Sequence, residues 1–164
     1  MARLLIALLM VMTGEQGARA ILDRAMEDFR AGRIEQSLAG FDRVATMSPA
    51  DAPYLWQRGI AQYYAGRFRE CRDMFISHRT VNPDDVENAV WHFLCVARAE
   101  TPDAARKQLL PVGPDARVPM REVYQLFQGR MTTAQVMKAA GTDPSAQFFA
   151  RLYVRLVPGG DRRS

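Results

Sequence analysis

From residue 21 almost to the end of the chain, apolar residues recur at helical spacing. Leu55, Trp56, Gly59, Ile60 and Tyr63 fall on one helix face at the i, i+4, i+8 interval. A shift of 34 residues lays this segment over an earlier one. Ile21 matches Leu55, Leu22 matches Trp56, Ala25 matches Gly59, Met26 matches Ile60, and Phe29 matches Tyr63. Ala31-Gly32-Arg33 then matches Ala65-Gly66-Arg67, followed by Ile34 with Phe68, Phe41 with Phe75, and Pro49 with Pro83. Small Ala25 and Gly59 suit a close crossing of two helices. Gly32 and Gly66 can take the left-handed conformation that ends a helix. Pro49 and Pro83 are expected to close the second helix of each pair, because proline donates no backbone hydrogen bond.

Beyond residue 83 the pattern stays helical but departs from the repeat. Asp84 is expected to cap a helix, with Glu87 completing a capping box and Val86, Ala89, Val90, Phe93, Leu94 and Ala97 on its apolar face. Thr101-Pro102 restarts a helix carrying Ala104, Ala105, Leu109 and Leu110. Pro111 to Pro119 reads as a loop, and Met120, Val123, Tyr124 and Phe127 as a short amphipathic helix. Thr132 with Gln135 caps the next helix, which stops at Gly141. Asp143-Pro144 opens a last one carrying Phe149, Leu152, Tyr153 and Leu156. Its apolar side calls for a cover, from a partner or a second copy, unless the reading frame is cut short.

Thirty-four residues is the period of the tetratricopeptide repeat (TPR). Gly32-Arg33-Ile34-Glu35-Gln36-Ser37-Leu38-Ala39-Gly40-Phe41 and Gly66-Arg67-Phe68-Arg69-Glu70-Cys71 resemble the start of a second TPR helix. Ser37 and Cys71 replace the usual alanine, while Arg24, Asp28 and Gln62 stand where the family is often apolar. The resemblance implies an all-α fold, a TPR-like right-handed solenoid of antiparallel helix hairpins. Its units would lie near 18–51, 52–85 and, degenerate, 86–119, with C-terminal helices over 120–157. In such arrays the first helices line a groove for a peptide or helix of another protein. The matching positions are Leu22, Met26, Phe29 and Arg30, then Trp56, Ile60, Tyr63 and Tyr64. With so few repeats, the same side chains also suit a core. Arg58 to Arg67, Trp91-His92-Phe93-Leu94 and Tyr124-Gln125-Leu126-Phe127-Gln128-Gly129 further resemble segments of the NlpI-type bacterial lipoproteins, which are adaptors. The chain lacks their lipidated cysteine and final repeat helix, so membrane anchoring does not carry over.

The N-terminus reads as an address. Arg3 precedes an apolar stretch from Leu4 to Met12, and Ala18-Arg19-Ala20 follows. These are the parts of a secretory signal peptide over 1–20, cleaved after Ala20. Secretion or a periplasmic location is the expectation, with an organelle lumen or the cytoplasm as alternatives; the other reading of 1–20 is an ordinary first helix of the domain. The stretch is too short to span a bilayer, and nothing else in the chain could. The domain then occupies 21–157, and 158–164 reads as a disordered tail.

Charge and chemistry change this picture little. The net charge is +4, and Lys107 and Lys138 are the two lysines. The arginines are scattered without a basic run, so codon usage accounts for them better than nucleic-acid binding does. Cys71 and Cys95 show no metal-ligand spacing. Buried free thiols account for them, and an oxidising compartment would allow a disulfide. His78 and His92 sit near Asp84, Asp85 and Glu87, but a metal needs convergent ligands, and turn and cap roles suffice. No phosphate loop, Rossmann glycines, G-x-S-x-G or H-E-x-x-H occurs. The expectation is therefore a non-catalytic binding scaffold with neither cofactor nor metal. Its rivals are self-assembly through residues 145–157 and, less favoured, a thiol- or metal-dependent enzyme built on Cys71, Cys95, His78 or His92.

Overall fold

The computed structural model describes residues 2–158, with side chains from Gln16 onward. Met1 and the side chains up to Glu15 of the expected leader at 1–20, and all of the expected tail beyond Pro158, lie outside the described residues. All regular structure among the described residues is helical. No helix there is long and apolar enough to cross a membrane. The chain divides into two units at Arg67/Phe68, inside the expected second repeat.

The first unit holds α1 (Ala2–Arg30), α2 (Ile34–Met47), a 3-10 turn (Ala52–Tyr54) and α3 (Trp56–Tyr64). The Phe29 ring meets Phe41 edge-on at 6.2 Å. Ala25, one turn earlier on α1, lies against Gly40. With the short link at residues 31–33, these contacts make α1 and α2 an antiparallel pair. Their seam closes on Ala25, Leu38, Phe41 and Ala61, with Leu22, Met26, Phe29 and Ala65 half-buried around it. Burying side chains the size of Leu38 and Phe41 contributes about 2 kcal/mol each. Across the α2–α3 contact, Asp42 accepts from Arg58 at 2.7 Å and from Arg67 at 3.0 Å.

The two glycine corners are alike. Gly32 has φ 70° and Gly66 has φ 75°. At the first corner Gly32 N–H donates to Phe29 O at 3.0 Å, and Arg33 N–H donates to Asp28 O at 2.8 Å. At the second, Gly66 N–H donates to Tyr63 O at 3.1 Å, and Arg67 N–H to Gln62 O at 2.8 Å. Both are Schellman caps, which satisfy carbonyls that the helix end leaves free.

The proline corners differ. Pro49 stands just beyond Met47, where α2 ends, but α4 (Phe68–His78), the helix 34 residues on, ends well before Pro83. Pro83 therefore does not close it, contrary to the repeat pattern. The turn that follows does: Thr80 Oγ1 donates to Ser77 O at 2.7 Å, and Asn82 N–H to His78 O at 3.0 Å. Side-chain and turn bonds of this kind compete with the helical ladder.

α4 opens the second unit, which continues with α5 (Val86–Ala99), α6 (Pro102–Lys107), α7 (Met120–Phe127), α8 (Thr133–Ala139) and α9 (Pro144–Leu156). α5 is its centre and packs on α4, α6 and α7. It buries Val86, Ala89, Val90, Phe93, Leu94, Cys95 and Val96. Phe93 meets Phe127 of α7 edge-on at 5.1 Å. Against α4 the contacts advance on one helix as they retreat on the other. Arg98 stands over the Phe68 ring at 4.7 Å, Cys95 is disulfide-bonded to Cys71, and Trp91 stacks on Phe75 at 6.3 Å. Asn88, in the amide orientation that satisfies it, joins Phe75 O and Arg79 N–H. The pair is thus antiparallel in register.

The caps follow local chemistry with one shift. Asp85, not Asp84, is the N-cap of α5, accepting from Glu87 N–H at 2.9 Å. Thr101, Thr132 with Gln135, and Asp143 cap α6, α8 and α9 as their sequences suggest. α6 stops at Lys107, so Leu109 and Leu110 lie outside it. Pro111 disfavours helical backbone at the residue before it. On α9, Ala146, Ala150 and Tyr153 are buried, Phe149, Leu152 and Leu156 half-buried, and Phe148 exposed.

Candidate functional site

An open cleft of about 660 Å³ lies in the first unit, where α1 passes the end of α2. Leu22 and Met26 of α1, Val44 of α2 and Leu55 make its apolar floor. Arg19, Asp23, Ser48, Asp51, Tyr54 and Gln57 make the polar rim. The cleft lies where α2 stops at Met47, and Asp51, Tyr54 and Leu55, between α2 and α3, complete its lining. Arg19 and Asp23 pair at 3.4 Å on the solvent side of α1. Tyr54 is 60% exposed beside the floor. An apolar floor with a few polar groups around it suits the anchoring side chains of a peptide or helix.

The structure brings some of the anticipated groove residues here and not others. Leu22 and Met26 reach the cleft, although both also pack on the seam. Phe29 goes to the seam alone, Arg30 is exposed, and Ile60 is buried. Trp56 and Tyr64 are exposed on α3, and Tyr63 meets Tyr64 edge-on at 5.6 Å. Val44, Ser48, Asp51, Tyr54 and Leu55 were not anticipated, because a groove drawn from first helices alone leaves out the end of α2 and the turn after it. The one signal for them was an aromatic after proline in a turn, at Pro53-Tyr54.

The polar residues at usually apolar repeat positions fare unequally. Asp28 is buried and receives Arg33 Nε and Nη2, each at 2.7 Å, with Arg24 at 3.6 Å. Its counterpart Gln62 is buried with Oε1 lacking a hydrogen-bond partner among the described residues.

In the second unit, His78 is buried in the last turn of α4. Cys71 and Cys95 are fully buried and bonded to each other, so neither is a thiolate. His92 is buried with Nδ1 unpartnered. Desolvation, helped by Arg72 and opposed by Asp73, pulls its pKa from 6.5 down to about 4. Among the described residues no three His, Cys, Asp or Glu side chains gather to hold a metal ion.

The acidic cluster is instead organised by an arginine. Arg117, on the loop before α7, donates to Asp85, Glu87 and Asp115, each at 2.6 Å. Asp115 accepts from Val86 N–H at 3.2 Å, and the Tyr153 hydroxyl donates to Glu87. Partial burial pushes the Asp115 carboxyl up, but the Arg117 side chain and the Arg117 and Val86 N–H groups outweigh it and hold the pKa below 3.8. Hydrogen bonding to Asp115 raises the Arg117 pKa, and burial raises that of Tyr153. The cluster thus ties the loop to α5 and α9. No protein-family model matches the chain, and no curated protein matches it in sequence.

Proposed function

We propose that this chain is a non-catalytic, TPR-type adaptor that binds a peptide or helix of a partner protein, outside the cytoplasm. The cleft over Leu22, Met26, Val44 and Leu55 carries the reading. It is apolar below, polar at the rim, and shaped by helix ends rather than by any group with reactive chemistry. Three observations support the TPR assignment. The Gly32 and Gly66 corners carry the same cap with the same bonding partners. Ala25 and Gly59 are both buried, as are Phe41 and Phe75. The elements are helical throughout the described residues. A right-handed solenoid and an exported chain are parts of the same proposal. The Cys71–Cys95 bond fits export, since disulfides persist in oxidising compartments.

Asp51→Lys with Tyr54→Ala tests the site without touching the seam, because both side chains are exposed. Wild-type and variant proteins are used as baits on an extract of the native compartment. Candidate partners are those retained by the first and not the second. A synthetic peptide of such a partner is then titrated by calorimetry. A loss of tenfold or more in affinity is expected, as for an aromatic hot spot. Equal retention of every protein by both baits, or equal affinity of both for such a peptide, would refute the cleft.

A second reading rests on Phe148, which is 61% exposed on α9. It supports self-association through the last helix. Light scattering across a range of concentrations separates the readings, and Phe148→Glu would abolish a dimer built this way.

A further inference from the structure

We infer that the Cys71–Cys95 bond is a buried clamp that holds α4 onto the rest of the second unit, making the order of this one helix dependent on oxidation. Within that unit α4 rests chiefly on α5, whereas α5 also packs on α6 and α7, and α7 on α8 and α9. Helices α5 to α9 therefore support one another without α4. The link between α4 and α5 is short, but a short link fixes neither rotation nor register. The bond joins Cα atoms 5.8 Å apart and sits between the Phe68–Arg98 and Phe75–Trp91 contacts, near the middle of the seam. Both cysteines are fully buried. A thiolate reaches a disulfide by direct attack on sulfur, so reduction requires α4 to lift first. A dithiol such as dithiothreitol would then give two electrons and two protons to the Cys71–Cys95 sulfurs and close into its own cyclic disulfide. The α4 seam would be left without its covalent tie. The inference does not depend on partner binding in the first unit, and its test reads only α4.

The full chain is refolded in a glutathione redox buffer, and thiols are titrated in guanidinium chloride before and after dithiothreitol. None is expected before reduction and two after; two before reduction would overturn the inference. Hydrogen exchange of the oxidised and reduced proteins is then compared. Amides of residues 68–78 should exchange at least about tenfold faster on reduction, while those of α7 to α9 change little. The melting midpoint should fall by roughly 10 °C. Unchanged exchange in α4, or a rise spread evenly over α4 to α9, would overturn the clamp. Cys71→Ala with Cys95→Ala should reproduce the reduced pattern, and reduced wild-type protein supplies the reading if that variant fails to fold.

Discussion

Gly40 faces Ala25 so closely that a Cβ built on Gly40 would stand 2.7 Å from the Ala25 Cβ. Ala25 is fully buried and its Cβ cannot swing aside, so only a backbone shift would relieve the clash. In an open helix, Gly→Ala gains about 1 kcal/mol of propensity. Here the gain competes with overpacking of about 1–3 kcal/mol. Because the clash is with a Cβ that cannot move, Gly40→Ala should lower stability on balance, by up to about 2 kcal/mol in urea denaturation. Adding Ala25→Gly should recover part of the loss, giving a favourable coupling in the double-mutant cycle. A stabilised Gly40→Ala protein would show that the α1–α2 crossing is looser than described.

The two Schellman corners make a paired prediction. Gly32 and Gly66 have open space where a Cβ would stand, so left-handed backbone strain is the main cost of a side chain there. Gly32→Ala and Gly66→Ala should each cost about 1 kcal/mol. Equal losses in chemical denaturation are the signature of equivalent corners. A loss at one and none at the other would count against the repeat.

What the sequence made legible is what short-range chemistry decides. The Thr132 and Gln135 cap, and the helix starts at Thr101-Pro102 and Asp143-Pro144, were legible because the residue before each helix bonds backbone within three residues of itself. The Gly32 and Gly66 corners were legible for the same reason. Asp84 was the expected cap of α5, with Glu87 at the capping-box position, yet Asp85 takes that place. Contacts with the distant Asp115–Arg117 loop accompany the choice of Asp85, and no local pattern reports them. The cleft was half legible. Leu22 and Met26 follow from helical periodicity, but Tyr54 and Leu55 depend on where α2 stops and how the next turn swings. The disulfide was open as a possibility only, since the pairing of Cys71 with Cys95 needs the α4–α5 register.

Arg117 anchors contacts of that long-range kind. Its side chain is 40% exposed, so solvent screens part of each ion pair, yet the Asp115 side chain is only 6% exposed. Arg117→Met should cost about 1–2 kcal/mol, less than breaking a fully buried pair. The Asp115 pKa lies below its unfolded value of 3.8 in the folded protein. Its contribution is thus complete well above pH 4 and disappears as pH falls through the depressed value. Wild type should lose this stability in acid, and Arg117→Met should lack that part of the acid limb. Tyr153→Phe, which removes the donor to Glu87, should cost about 1 kcal/mol in the same assay. An Arg117→Met protein with wild-type stability at every pH would show that the cluster contributes nothing to the fold.

His92 extends the pH dependence into a milder range. Its folded pKa of about 4 lies below the unfolded 6.5, mainly through desolvation. Between those values the unfolded chain binds the proton more readily, so stability should fall as pH drops from 6.5 and level off below about 4. The shift corresponds to a total of about 3 kcal/mol at most. Above pH 6.5 the neutral ring carries no such penalty, but Nδ1 remains buried without a partner. His92→Leu removes that unsatisfied nitrogen at similar bulk, so stability at pH 7 should stay within about 1 kcal/mol of wild type. Between pH 6.5 and 4 the variant should lose the slope due to this residue, whereas the more acidic limb governed by Asp115 and Arg117 should persist. Thermal melts of both proteins at half-unit pH intervals would check this, and parallel curves through the whole window would exclude His92 as the group that titrates there.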